Sequence, residues 1–210
     1  MKLEMKEVLA DYFDATFVIM HGENEMPGSA QLIHCLPEDP GQMKINFMGK
    51  TYVMTYPGAP QSRIKGYDPA YRHVITLDDA EVGEISHISA GGFLSKYRYM
   101  QLVFENEAFT GYEVHLGEEG SVYPVWHGDV LVAQARIGAK IFDGLYNYQI
   151  AALDEKAALA ALLCCCYQYY AFAFIPGKER KASFDRSVGT TRNKTVLAKY
   201  DPAFEGKVEA

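Results

Sequence analysis

Cysteine is scarce in this chain: four among 210 residues, with Cys164, Cys165 and Cys166 consecutive. Neighbours on a helix project about 100° apart, so these three cannot staple one another, and a disulfide framework is excluded. Met1 to Tyr12 alternates charged and apolar residues and lacks the continuous apolar stretch of a secretory leader, so a cytosolic protein is expected. No Gly-x-Ser-x-Gly elbow, P-loop or GxGxxG occurs, which removes the best-marked hydrolase and nucleotide-binding classes. His21, His34, His73, His87, His115 and His127 stand singly, without HxxxH or HxH spacing, and no CxxC occurs. His34-Cys35 has no second pair to complete a site. No metal, cofactor or catalytic residue is therefore expected. Positive charge is also short: the net charge is −7, and residues 1–176 hold 12 Lys/Arg against 22 Asp/Glu. An acidic body argues against nucleic acid as the main partner.

What the chain does hold is an uncharged run, Ala157 to Ile175, whose only amide is Gln168. As a helix it would be roughly 28 Å long, and a helix apolar all round must be buried in protein or lipid. Asp154 is placed to cap it, Glu155 sits at the positive end of its dipole, and Pro176-Gly177 ends it. The run includes three consecutive thiols, which read as small core hydrophobes.

The preceding residues read as strands. Met43–Met48 and Thr51–Tyr56 flank Gly49; Tyr71–Leu77 and Glu81–Ile88 flank Asp78-Asp79. Tyr97–Phe104 and Ala108–Leu116 flank Glu105-Asn106-Glu107, and Ser121–His127 and Val130–Arg136 flank Gly128-Asp129. Ile137–Phe142 and Leu145–Leu153 flank Asp143-Gly144, the strongest two-residue hairpin signal present. About ten strands with turns every 8 to 12 residues favour a barrel or sandwich over a parallel α/β sheet. Residues 1–42 read as an irregular N-terminal arm that can form part of the barrel. Its Leu3, Met5, Val8, Leu9, Tyr12 and Phe13 recur at helical spacing, Thr16–Met20 reads as a strand, and Ser29 is placed to cap a short helix over Ala30–Cys35. Residues 177–210 form a polar tail with 8 Lys/Arg against 5 Asp/Glu.

The run of 19 residues is at the short limit for a bilayer, and Tyr167, Tyr169 and Tyr170 lie away from an interface belt. The favoured arrangement closes the sheet over residues 43–176 and threads the helix, about 155–175, through it. A tail-anchor-like integral membrane protein spanning 157–175 is the rival. A closed β-barrel around a hydrophobic C-terminal helix resembles the tubby C-terminal-like fold of tubby domains, LURP-one-related proteins and phospholipid scramblases. The stretch Thr76-Leu77-Asp78-Asp79-Ala80-Glu81-Val82-Gly83-Glu84-Ile85 resembles that group's D-x-x-G/V-x-x-I hairpin. Leu131–Arg136 with Tyr146–Ile150 resembles its strand pair before the helix, and 154–175 its helix, so the resemblance covers roughly 43–175.

Lys96-x-Arg98 and Arg63-x-Lys65 each place two cations at i and i+2, on one face of an extended chain. The resemblance implies phosphoinositide headgroups held by strand cations, and Lys96 and Arg98 are similar in spacing to such a pair. Arginine suits phosphate oxygens, although an acidic body supplies no large steering field. The expectation is a non-enzymatic binding or scaffold module for anionic phospholipid headgroups or a protein partner, peripheral to the inner face of a membrane. A second rival is a small-ligand carrier or enzyme with its site at the barrel end.

Overall fold

The computed structural model describes residues 1–22, 25–33, 35–36, 39, 41–57, 71–91, 97–141, 145–175, 177–178, 184–185 and 189–208. Strands account for 56% of the structure, which forms a closed, antiparallel, twelve-stranded barrel with a C-terminal helix of 19 residues. In chain order the strands are β1 (Lys2–Ala10), β2 (Ala15–His21), β3 (Glu25–Ile33), β4 (Gln42–Phe47), β5 (Lys50–Thr55), β6 (His73–Leu77), β7 (Ala80–Ala90), β8 (Tyr97–Phe104) and β9 (Glu107–Tyr112). They continue as β10 (Val114–His115), β11 (Ser121–His127), β12 (Val130–Ile137), β13 (Lys140–Ile141), β14 (Asn147–Ala152) and β15 (Phe184–Asp185). Strands β1 to β9 pair in sequence order. The ring closes where β14 enters between β12 and β1, and where β11 pairs with β9 through Val125↔Gly111 and Trp126↔Thr110.

Alternation decides what fills the barrel. Met5, Phe17, Ile19, Leu32, Met43, Ile45, Met54, Ile75, Ile85 and Leu102 point inward and are wholly buried. They surround helix α1, α-helical over Glu155–Gln168 and continuing as a π turn over Tyr169–Ala173. Every residue from Ala157 to Tyr167 is buried, so this part of the apolar run has the barrel interior as its solvent. No helix among the described residues is long and apolar enough to cross a membrane. Asp154 Oδ1 accepts from the Ala157 N–H at 2.8 Å, capping the helix as expected. Lys156 Nζ donates to Glu107 Oε1 at 2.6 Å and ties the helix start to β9. Burial pushes the Cys164 and Cys166 thiols up to about 12 and Cys165 well above its usual range, so all three stay protonated as packing groups.

Several expectations are corrected. Within residues 1–42, Lys2–Ala10, Ala15–His21 and Glu25–Ile33 are regular strands of the barrel and not an irregular arm. No helix forms over Leu3–Phe13: Leu3, Met5 and Glu7 face inward on β1, and a bulge between Glu7 and Leu9 shifts the outward set, producing the pseudo-helical spacing. Nor does Ser29 start a helix. Gly28 lies within β3, where an added Cβ would stand 2.0 Å from the Asn46 carbonyl oxygen, so that glycine marks a close strand approach. The hairpin expected around Asp143-Gly144 is not a two-residue one: of its first flank only Ile137 pairs with β14, through Ile137↔Tyr148, whereas Lys140–Ile141 (β13) pairs with β15. Asp143 and Gly144 themselves lie outside the described residues.

The tail is more than a solvated extension, because residues 189–208 strap the outside of the barrel. Helices α2 (Lys194–Leu197) and α3 (Phe204–Lys207) each bury one anchor: Val196 against Tyr112 and Val114, and Phe204, with Val208, against Ala151. Between them Lys199 Nζ lies 4.7 Å from the Trp126 ring centroid, while the Trp126 Nε1–H donates to the Lys199 carbonyl at 3.2 Å. Gln134 and the Asp201 backbone exchange two hydrogen bonds of 2.9 and 3.0 Å.

Candidate functional site

In an antiparallel ring, alternate connections fall at the same end. One end of this barrel carries the tight turns Met48-Gly49, Asp78-Asp79 and Glu105-Asn106, all with positive φ as two-residue hairpins require, together with the start of α1. At the other end stand the ends of β3, β5, β7, β9 and β12, whose links to the next barrel strand are longer in sequence, together with the π turn of α1. The barrel thus has a plain end and a loop-rich end, and binding groups gather on loops held by a rigid scaffold.

A cleft of about 390 Å³ opens at the loop-rich end, within the roughly 300–1,000 Å³ of small-molecule sites. Its walls come from β8 (Tyr97, Arg98, Tyr99), the β9–β10 segment (Glu113, His115), the end of α1 (Gln168, Phe172) and the strap (Thr191, Arg192, Asn193). Arg98 shares the inward parity of Met100 and Leu102 but lies beyond the packed core, so it reaches the mouth and stays exposed. The register pairs Tyr99 with Tyr112, which makes Glu113 the next residue opposite Arg98. Gly111 allows this corner to close on α1: an added Cβ there would stand 3.3 Å from Cys164 Sγ.

The floor is a hydrogen-bonded polar group. Glu113 accepts from the Tyr123 hydroxyl at 2.9 Å and from Gln168 Nε2 at 3.2 Å, and His115 Nδ1 lies 3.9 Å from the same carboxylate and 2.9 Å from Ser121 Oγ. Ser121 is completely buried, so this Ser–His–Glu grouping holds the loop and presents no nucleophile. The strap is fastened here: the His115 N–H donates to Thr191 Oγ1 at 2.8 Å, and the Thr191 N–H donates to the His115 carbonyl at 2.9 Å. His87 Nδ1 lies 3.3 Å from the Tyr167 hydroxyl. Burial, and then the nearby Arg98 charge, push His87 down to about 4, leaving the imidazole neutral at neutral pH. The cleft's fixed positive charge therefore comes from Arg98 and Arg192, neither of which makes an ion pair among the described residues.

Of the cations singled out in the sequence, Arg98 lines the cleft; Lys96, Arg63 and Lys65 lie outside the described residues. Sequence reasoning missed Glu113, His115 and Arg192 as neighbours of Arg98, and only the lone amide in the apolar run, Gln168, gave a signal. No three His, Cys, Asp or Glu side chains among the described residues are grouped to hold a metal ion. No family model matches the chain, and no curated protein or solved structure matches it.

Proposed function

We propose that the protein is a non-enzymatic, tubby-like binding module that takes an anionic group at the loop-rich end of its barrel, a phospholipid headgroup being the first candidate. The observation that carries the reading is Arg98: an exposed guanidinium at the mouth of a formed cleft, with no ion pair among the described residues and with Arg192 on the facing strap. Guanidinium groups bind phosphate oxygens in a bidentate manner, and two converging on one cleft add charge without added desolvation of a paired partner. Exposed Val8, Leu9, Tyr12, Phe13, Phe172 and Ile175 belong to the same end. Aromatic and aliphatic groups around an anion site suit a surface where headgroups meet acyl chains. In this reading the protein works in the cytosol, against the inner face of a membrane.

The test is vesicle flotation without detergent, comparing neutral with anionic vesicles at low and high salt. Anionic-selective, salt-sensitive flotation that is lost in Arg98→Gln supports the reading. Protein that stays at the bottom with every lipid removes the membrane and leaves a protein partner. A second reading, a carrier for a soluble anionic molecule, is favoured by the cleft's volume and its deep polar floor. It predicts binding of the free anion with no flotation.

A further inference from the structure

The strap that walls one side of the cleft has little stability of its own. Helices α2 and α3 are four residues each, and isolated helices shorter than about 12 residues are marginal in water. The strap is therefore ordered by what it touches. Beside the cleft those contacts are the two bonds between Thr191 and His115, of 2.8 and 2.9 Å, and the bridge of Thr190 to Leu116. Further along they are the Val196 anchor, Lys199 against Trp126, and the Arg136 Nη2 donor to the Tyr200 hydroxyl at 3.0 Å. The Gln134–Asp201 pair and the Phe204 anchor complete them. A segment held by a few apolar anchors and surface hydrogen bonds opens locally while the rest of the molecule stays folded.

Arg98 and Arg192 stand on the two parts that such an opening separates. Arg98 belongs to β8 of the barrel, and Arg192 lies on the strap between the Thr191 tie and the Val196 anchor. Both line the cleft, both are exposed, and neither makes an ion pair among the described residues. We infer that the strap is a latch closed by the ligand, a coupling that rests on the cleft being the anion site proposed above. An anion taken between Arg98 and Arg192 ties the strap to the barrel, and its departure frees the strap to open. The two guanidiniums can be bridged only while the strap is docked. The anion therefore binds the docked state more tightly than the open one and shifts the equilibrium by that difference. The coupling is reciprocal, so contacts that hold the strap down also favour the anion. Because the docked strap packs over Tyr112, Val114 and Trp126, occupancy of the cleft sets how often this aromatic surface is uncovered. Binding at the cleft is thereby reported on a second face of the barrel.

Amide hydrogen exchange of the full chain, with and without inorganic phosphate, tests the latch. At a phosphate concentration about ten times the dissociation constant, the amides of residues 190–204 should exchange about tenfold more slowly. Amides of the plain-end hairpins around Met48-Gly49 and Asp78-Asp79 should keep their rates. Arg192→Gln changes an exposed residue and leaves Arg98 to bind phosphate more weakly. Phosphate at about ten times that variant's own dissociation constant should no longer slow the strap. Phosphate binding with unchanged strap rates in the wild type, or with the same slowing in Arg192→Gln, would overturn the latch and leave the anion site standing. No phosphate binding would overturn both. Phosphatidic acid in phosphatidylcholine vesicles supplies the second source of the phosphate group. Slowing by both forms identifies a lipid headgroup, and slowing by the free form alone identifies a soluble ligand; each of these two results upholds the latch.

Discussion

Glu7 on the first strand and Tyr169 on the π turn of the helix meet inside the barrel, where the carboxylate accepts the phenolic hydrogen across 162 residues of chain. Glu7 is fully buried, and its other oxygen accepts the Tyr146 N–H at 2.8 Å. The Tyr169 ring is held edge-on by Phe17 and Tyr146, with centroid separations of 4.7 and 5.4 Å. A buried carboxylate is tolerated when its acceptors are used, so this pair fixes where the helix ends relative to β1 and the loop-rich mouth.

Tyr169→Phe removes one donor from that carboxylate and is expected to cost roughly 1–3 kcal/mol. For a chain of this size, each kcal/mol lowers the melting midpoint by about 2–4 °C. Glu7→Ala should cost more, because it strands both the Tyr169 hydroxyl and the Tyr146 N–H. Urea unfolding checks the order, and equal stability of all three proteins would show that the contact is idle.

Leu162→Asp puts a carboxylate at a wholly buried position of α1 and should prevent cooperative folding, a loss above about 4 kcal/mol. Native solubility with a normal melting transition would contradict a helix enclosed by the barrel.

Gln134→Ala removes both bonds to the Asp201 backbone and leaves that N–H without its partner. It should loosen the strap before it destabilises the barrel. Hydrogen exchange at residues 190–204 is expected to rise by about tenfold or more, the equivalent of roughly 1.4 kcal/mol of local opening. Unchanged protection there would mean that the Lys199–Trp126 and Val196 contacts suffice.

His87 supplies a pH signature. Its folded value of about 4 lies below the ordinary 6.5, so between these values the unfolded chain binds a proton that the native chain refuses. Stability from this group is present above about pH 6.5 and is lost as the pH falls towards 4. The wild type should therefore lose more stability between pH 7 and pH 5 than His87→Asn does, as read from parallel denaturant curves. Matching slopes would mean that His87 is not held neutral.

What the sequence made legible was local. Asp154 announces the helix because a cap acts within one turn, and Asp78-Asp79 announces a hairpin because both residues tolerate positive φ. The first strand was hidden because Glu7 occupies an inward position where the alternation calls for an apolar residue, and because the bulge beside it breaks period two. The position of β14 between β12 and β1 depends on register with a strand more than a hundred residues away, which no local pattern encodes. Arg98 could be singled out for its spacing with Lys96. Glu113, Gln168 and Arg192 join it only because the ring closes and the strap returns, so their grouping belongs to tertiary structure.

Titrating inorganic phosphate into ¹⁵N-labelled protein, and following every backbone amide by NMR, tests the binding site most directly. Saturable shifts should gather at residues 97–99, 111–115, 168 and 191–193, and disappear in Arg98→Gln. The absence of saturable shifts, or shifts centred on the plain end around Met48-Gly49 and Asp78-Asp79, would contradict an anion site in the cleft.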